Sequence, residues 1–513
     1  MPIRPDIRRP PDHNALSQSP SNEETALKFL NDPEGTRLPI KLDTTTNGEF
    51  SPVPLEPVHH EAKKAGLDDA TRNARRLALP RRNFLVSACG AATALLAMNE
   101  AYARHGRTGG FYDVPAEAAL DRQLAAATVE GEEFIFDVQG HFVNPTGAWT
   151  KLLPPGATPL KQMPKTTACQ GPGQLDYLQC IGSDEFVKDV FMDSDTDLMV
   201  LSFVPSTRQG EPLTIEEAHA TARIVERLDG MHRLYIHGRV NPNQPGDLDG
   251  MDELASRYRI AAWKTYTQWG PDGTPGFYLD DAPGIAMIEK ARRLGIRNIA
   301  VHKGLPFGKR SYEHSTCVDI GRIAKRYPDV NFLIYHSGFV TGSPEGPHDP
   351  KRTDGVDALV TSLMENGVGP GSNVYAELGS TWRFAMRDPD TAAHTLGKLL
   401  KACGENNVLW GTDSIWYGSP QDQIQAFRTF QISPALREKH GYPEITRDMR
   451  AKIFGLNALK LYPVPDHVLR KHLTSDKVAE ERREYRAERA DPTYLTHGPR
   501  TRREFLNLKA WGG

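Results

Sequence analysis

The chain of 513 residues is predicted to be an α/β protein built on a (β/α)8, TIM-like barrel. Three observations carry that prediction. Short β-rich runs alternate with helical patterns. The runs number eight, the count that closes such a barrel. Polar residues with metal-binding chemistry stand just after several of the run ends, where a barrel places its active site. The alternation argues for parallel strands joined by right-handed crossovers. An open doubly wound sheet is the alternative, but no GxGxxG follows the first run, which weakens a dinucleotide-binding version of it.

The runs span residues 133–138, 197–204, 233–240, 260–264, 296–301, 331–335, 372–378 and 407–410. After the second run, residues 214–228 have a helical pattern, and Thr214-Ile-Glu-Glu217 reads as a capping box. A second clear helix is expected over 284–294. The polar residues near the run ends are Asp137, Gln139 and His141 at the first, Lys264 at the fourth, His302 at the fifth, His336 at the sixth, Glu377 in the seventh and Asp413 after the eighth. Imidazoles and carboxylates converging on one mouth suit a divalent ion such as Zn²⁺. His219, His314 and His394 lie away from the run ends and read as surface or helix residues.

Composition narrows the function classes. Lys+Arg 62 against Asp+Glu 65 leaves a net charge of −3, so no basic excess exists to neutralise phosphates and nucleic-acid binding is not expected. Five cysteines are too few for a disulfide scaffold and form no CxxC zinc pattern. No apolar run reaches the roughly 20 residues of a membrane span. The 39% hydrophobic content is low for a packed chain of this length, and the two ends account for much of it. Residues 1–80 show little periodicity and read as a disordered leader. Residues 465–513 form a charged extension, in which 476–489 reads as a solvated helix or a strap across a partner subunit.

Residues 81–103 resemble a twin-arginine export signal. Arg81-Arg82 precedes a weakly apolar run of small residues, and Ala101-Tyr102-Ala103 offers a small-x-small cleavage site. The alternative is an Ala-rich surface helix that follows two arginines. Export implies engagement of the export machinery and a periplasmic or secreted enzyme, or a cytoplasmic one if the leader is retained. In an oxidising compartment Cys169 and Cys180 could pair, although two free thiols read as well.

Over roughly 134–462 the chain resembles the amidohydrolase superfamily, and more narrowly its amidohydrolase-related (amidohydrolase 2) branch, which includes aminocarboxymuconate semialdehyde decarboxylase-like enzymes. The resemblance is carried by Ile299-Ala-Val-His302-Lys-Gly-Leu-Pro, Leu333-Ile-Tyr-His336-Ser-Gly, Trp410-Gly-Thr-Asp413-Ser and Ile453-Phe-Gly-Leu-Asn457-Ala-Leu-Lys-Leu-Tyr462. It implies a distorted barrel over 104–464 with one divalent metal, usually zinc, with manganese or magnesium as alternatives. It further implies His141 and His302 as ligands, Asp413 as ligand and proton-transfer residue, and His336 as a group that binds or polarises substrate or activates water. Members often dimerise, so a homodimer is an expectation.

One departure stands out. The family's first motif is His-x-His or Glu-x-His, whereas this chain has Gln139-Gly-His141. Gln139 could bind a harder ion through its oxygen. The site could keep zinc on His141, His302 and Asp413, helped by Glu377. Metal affinity could also be lost.

The function expected is a metal-dependent hydrolase acting on a small carboxylate-bearing or aromatic molecule through activated water. Lys264 and Arg383 are candidate contacts for a carboxylate, and Glu377 is a further candidate substrate contact. Trp382, with Trp263, Trp269, Phe339, Trp410, Trp416 and Tyr417, is a candidate wall of an aromatic mouth, although such rings also serve as packing. A non-oxidative decarboxylase using the same residues, and a metal-poor binding barrel, are the alternatives.

Overall fold

The computed structural model describes residues 32–506 apart from 44, 47–49, 153–178, 230–231, 272–273, 307–311, 467–468, 470–475, 493–497 and 504. Eight parallel strands run in sequence order around one sheet: β1 (Phe136–Gly140), β2 (Leu198–Leu201), β3 (Leu234–Arg239), β4 (Ile260–Tyr266), β5 (Asn298–His302), β6 (Asn331–Tyr335), β7 (Val374–Glu377) and β8 (Val408–Leu409). Each falls within a few residues of an expected run. The barrel closes beyond β8, where Val138 N–H donates to the Trp410 carbonyl at 3.0 Å and Asp413 N–H to the Gln139 carbonyl at 2.9 Å.

β-branched, aromatic and small residues fill the strands, and nearly every strand residue is buried. That is the pattern of strands covered on both faces. Inside, Phe136, Val138, Leu198, Val200, Tyr235, Ala300, Leu333 and Tyr335 form one apolar cluster. Tyr462, from beyond the last strand, joins it at a ring separation of 5.3 Å from Phe136. Outside, helices cover each crossover. The helix Ile215–Asp229 starts at the expected capping box: Glu217 N–H donates to Thr214 Oγ1 at 3.2 Å and Thr214 N–H to Glu217 Oε2 at 2.9 Å.

The N-terminal region differs from expectation. Residues 1–31 lie outside the described residues, but two long helices, α1 (Pro57–Arg76) and α2 (Ala88–Arg104), pack against each other and join the main core. Disorder therefore does not extend over the whole of 1–80. The cause is a stripe that large-residue periodicity overlooks: Ala62, Gly66, Ala70 and Ala74 recur every four residues along one face of α1 and are all buried. Their small size lets α2, itself rich in alanine, approach closely. A Cβ on Gly66 would lie 3.1 Å from Leu38 and 3.6 Å from Ala97.

The segment read as an export signal is thus also part of the core. Arg82 is buried, and its guanidinium donates to the Pro492 carbonyl at 2.8 Å. Residues 110–112 pair antiparallel with 430–432 and lead the chain from α2 towards the barrel.

The charged extension is docked rather than solvated. Asp476 caps the helix Lys477–Glu484 and receives the buried Arg233 Nε at 2.8 Å. Arg482 donates to the Phe191 and Thr196 carbonyls, each at 2.6 Å. Among the described residues no helix is long and apolar enough to cross a membrane. Cys180 is disulfide-bonded, while Cys169 lies outside the described residues.

Candidate active site

The strand ends bring four predicted residues together. Asp413 Oδ1 lies 3.1 Å from His141 Nε2 and accepts a 3.0 Å hydrogen bond from Gln139 Nε2. Gln139 Nε2 is 3.4 Å from His141 Nε2 and 3.5 Å from His336 Nε2. Gln139 and His141 point the same way because they are two apart on a strand. Asp413 reaches them because the chain after β8 pairs with β1.

The backbone here is held in an uncommon conformation. His336, Ser337, Ser380 and Asp413 have φ of 66°, 50°, 53° and 60°. Non-glycine residues seldom occupy that region, and such positions gather at functional sites where surrounding contacts enforce them. The enforcing contacts are visible. Ser337 Oγ donates to the Glu377 carbonyl at 2.7 Å, and Thr381 Oγ1 to the His336 carbonyl at 2.8 Å.

His336 Nδ1 lies 2.7 Å from the Gly379 carbonyl oxygen. A carbonyl can only accept, so Nδ1 carries the proton and Nε2 presents a lone pair to the site. Burial lowers the His336 pKa to about 4, keeping the ring neutral. Burial also presses upward on Asp413. The hydrogen bond and charge of His141 and the Ser380 hydroxyl outweigh it and hold this carboxyl below its usual range. Ser380 Oγ donates to Asp413 Oδ2 at 2.5 Å and sits 2.7 Å from the Tyr417 hydroxyl. Trp416 stacks on His141 at 5.4 Å.

Glu377 lies behind this cluster. Its carboxyl accepts N–H groups of His336 at 3.0 Å and Gly379 at 2.6 Å, and burial raises its pKa to about 8. The approach requires glycine: a Cβ on Gly411 would lie 1.5 Å from Glu377 Oε1. Lys264 is buried on β4, its Nζ 3.8 Å from the Tyr335 ring centre and 4.8 Å from that of Tyr266.

Of the expected zinc set, His141 and Asp413 lie together and Glu377 stands against the His336 backbone. Among the described residues no three His, Cys, Asp or Glu side chains converge to hold a metal ion. His302 instead packs beside His336, ring centres 4.4 Å apart, with Nε2 3.4 Å from the Leu305 carbonyl. A three-donor group exists only with Gln139 included. His141 Nε2 and Asp413 Oδ1 stand 3.1 Å apart, the spacing of atoms that share one ion at bonds of about 2.1 Å, and the Gln139 side chain reaches both, with its NH₂ end towards them. Gln139 Oε1 is buried with no hydrogen-bond partner, an oxygen still available to a cation. These residues fit a divalent ion.

Two predicted substrate contacts lie elsewhere. Trp382 Nε1 donates to the Gln423 carbonyl at 2.9 Å and its ring packs on Phe427 and Phe430. Arg383 donates to the carbonyls of Lys41 and Asp43 and lies 3.5 Å from Asp422, fastening residues 41–43 to the barrel. Both lie buried on the short helix Thr381–Ala385, where these contacts make them structural. Ser380 escaped sequence reasoning. Its signal is faint: a Gly-Ser pair directly after the strand that carries Glu377.

A model of the amidohydrolase family (Amidohydro_2) matches residues 188–464, more than half of the chain. That stretch contains His302, His336 and Asp413 and begins after Gln139 and His141. No curated protein matches the chain. Among solved structures it is similar to 5-carboxyvanillate decarboxylase from Sphingomonas paucimobilis, at 13% identity over 65% of this chain and 100% of that one, TM-score 0.40. It is similar to 2,6-dihydroxybenzoate decarboxylase from Rhizobium at 14% identity over 64% and 98%, TM-score 0.39. A putative 2-pyrone-4,6-dicarboxylic acid hydrolase from Pseudomonas putida is similar at 12% identity over 64% and 98%, TM-score 0.36. With the family model spanning β2 to β8 and the conclusion resting on that match, this chain belongs to the amidohydrolase family.

Proposed function

We propose that the protein is a metal-dependent hydrolase of a small, carboxylate-bearing or aromatic molecule. The observation that carries this reading is the meeting of Gln139, His141, His336 and Asp413 at the strand ends. A divalent ion held by Gln139, His141 and Asp413 would lower the pKa of bound water towards about 7 and polarise a scissile carbonyl. Asp413, kept ionised by His141 and Ser380, accepts a proton at Oδ1 and returns it to the leaving group. His336 Nε2, left with its lone pair by the bond from Nδ1, accepts a hydrogen bond from water and orients it. The tautomer assigns His336 to accepting rather than to donating towards an oxyanion. Lys264 supplies a buried positive charge, which suits an anionic substrate.

Ester, lactone and amide substrates assayed beside hydroxybenzoates, with Zn²⁺ or Mn²⁺ supplied, test the proposal. Hydrolysis is expected. Release of CO₂ without hydrolysis would replace it by decarboxylation of an aromatic or unsaturated acid on the same residues. Metal content below about 0.2 per chain, with no activity on adding either ion, would favour a binding barrel.

The proposal extends to export. It is supported by Arg81-Arg82 and the alanine-rich run after it, and by the disulfide at Cys180, which suits an oxidising compartment. Because Ala88–Arg104 packs in the core, the exported protein keeps this helix. Cell fractionation with N-terminal sequencing tests both parts. Recovery only from the cytoplasm, or a mature start beyond residue 104, would overturn them.

A further inference from the structure

The Gln139 side chain stands with its amide reversed for metal binding. Its nitrogen faces the donor group, 3.0 Å from Asp413 Oδ1, 3.4 Å from His141 Nε2 and 3.5 Å from His336 Nε2. An amide nitrogen brings two protons and no lone pair for a cation. Here it donates to the ionised Asp413, with the lone pair of His336 Nε2 in reach. The oxygen, the end that can bind a metal, faces away. It is buried without a hydrogen-bond partner, in a space left open by Gly379: a Cβ there would lie 2.1 Å from Gln139 Oε1 and 2.6 Å from Glu377 Oε1.

A half-turn of the amide would exchange its two ends. Oε1 would then face Asp413 Oδ1 and His141 Nε2. Two oxygens at about 3 Å repel unless a positive charge lies between them, so that orientation is favoured only with a cation present. The NH₂ group would move into the space beside Gly379, close to the Glu377 carboxyl, an acceptor. Each orientation is therefore matched to one state of the site: nitrogen inward without an ion, oxygen inward with one. The orphaned Oε1 is the sign that the present orientation leaves one of the two ends unsatisfied.

We propose that Gln139 is a metal-coupled rotor. Its NH₂ holds the donors together before an ion arrives, and uptake of a divalent ion turns the amide so that Oε1 becomes a ligand. A neutral oxygen in this place, where relatives of the motif carry imidazole or carboxylate, makes the site less selective for zinc and more tolerant of a hard ion such as Mn²⁺. The proposal rests on the reading of this cluster as a divalent-ion site.

Calorimetric titration of the full-length chain with Mn²⁺ and with Zn²⁺ tests it, on wild type and on Gln139→Ala, Gln139→Glu and Gln139→His, each first checked for an unchanged thermal melt. Gln139→Ala should bind Mn²⁺ at least 10-fold more weakly than wild type. Gln139→Glu, which offers oxygen at both ends and needs no turn, should bind it at least as tightly. Gln139→His should move the Zn²⁺/Mn²⁺ affinity ratio at least 10-fold towards zinc. Crystals grown with and without Mn²⁺ should differ in the assignment of the amide ends. Wild-type affinity for Mn²⁺ in Gln139→Ala, with binding intact in wild type, would overturn the rotor alone. No uptake of either ion by wild type would overturn the metal-site reading and the rotor with it.

Discussion

Asp413 presents one carboxylate oxygen to His141 Nε2 at 3.1 Å and the other to Ser380 Oγ at 2.5 Å. The two oxygens thus have separate tasks: one faces the reacting centre, the other anchors. Replacing the carboxylate by an amide keeps the shape but removes the charge and the proton acceptor. Asp413→Asn should lower kcat by roughly 10³-fold, within the range of a lost general acid–base group, with a near-native thermal melt. Turnover of the hydrolysed substrate at the wild-type rate would remove Asp413 from the mechanism.

The anchor predicts a graded effect. Ser380→Ala removes the bond to Asp413 Oδ2 and the link to Tyr417, whereas Tyr417→Phe removes only the outer link. Partners behind a metal ligand typically contribute roughly 10- to 100-fold in affinity or activity. Ser380→Ala should fall in that range, and Tyr417→Phe should lose less. Metal titration and steady-state kinetics check the order. An effect of Tyr417→Phe larger than that of Ser380→Ala would break the proposed chain of support.

Much of this was legible in the residue order, for a physical reason. Strands buried on both faces need continuous apolar runs, and a barrel concentrates chemistry at their ends, so His141, His302, His336 and Asp413 could be picked out by position. Legibility fails where partner choice is tertiary. His302 has the right motif, yet its ring turns beside His336. Trp382 and Arg383 looked like mouth residues because they follow β7, but a single turn of helix carries them into the structural core. The packing of α1 was hidden because alanine and glycine contribute little to apolar periodicity while permitting close helix contact.

That packing predicts sensitivity to size. Ala70 is fully buried on the face of α1 that meets the core. Ala70→Leu adds three carbons where no space exists, and overpacking of this kind costs roughly 1–3 kcal/mol. Urea unfolding should show the loss, while leucine at the exposed Arg75 position should have little effect. A chain starting at Arg104, which lacks both helices, should expose the apolar residues packed against them, such as Ala118 and Ala125, and aggregate. Wild-type stability of Ala70→Leu would show that α1 is not held by this stripe.

Asp189 supplies a test through pH. Its side chain is buried, and neither carboxylate oxygen has a hydrogen-bond partner. Burial raises its pKa to about 7, with Lys188 only partly opposing the shift. In the unfolded chain an aspartate titrates near 3.9. Between those values the folded state keeps a proton that the unfolded state has released, so stability falls as pH rises through this window. Below about pH 4 both states are protonated and the cost is absent; above about pH 7 it is complete, on the order of 4 kcal/mol. Asp189→Asn has no such proton. Its stability relative to wild type should therefore increase from pH 4 to pH 7 and then level off. Urea titrations at several pH values read the difference directly, and a gap that stays constant across the window would show that Asp189 is ionised in the folded protein throughout.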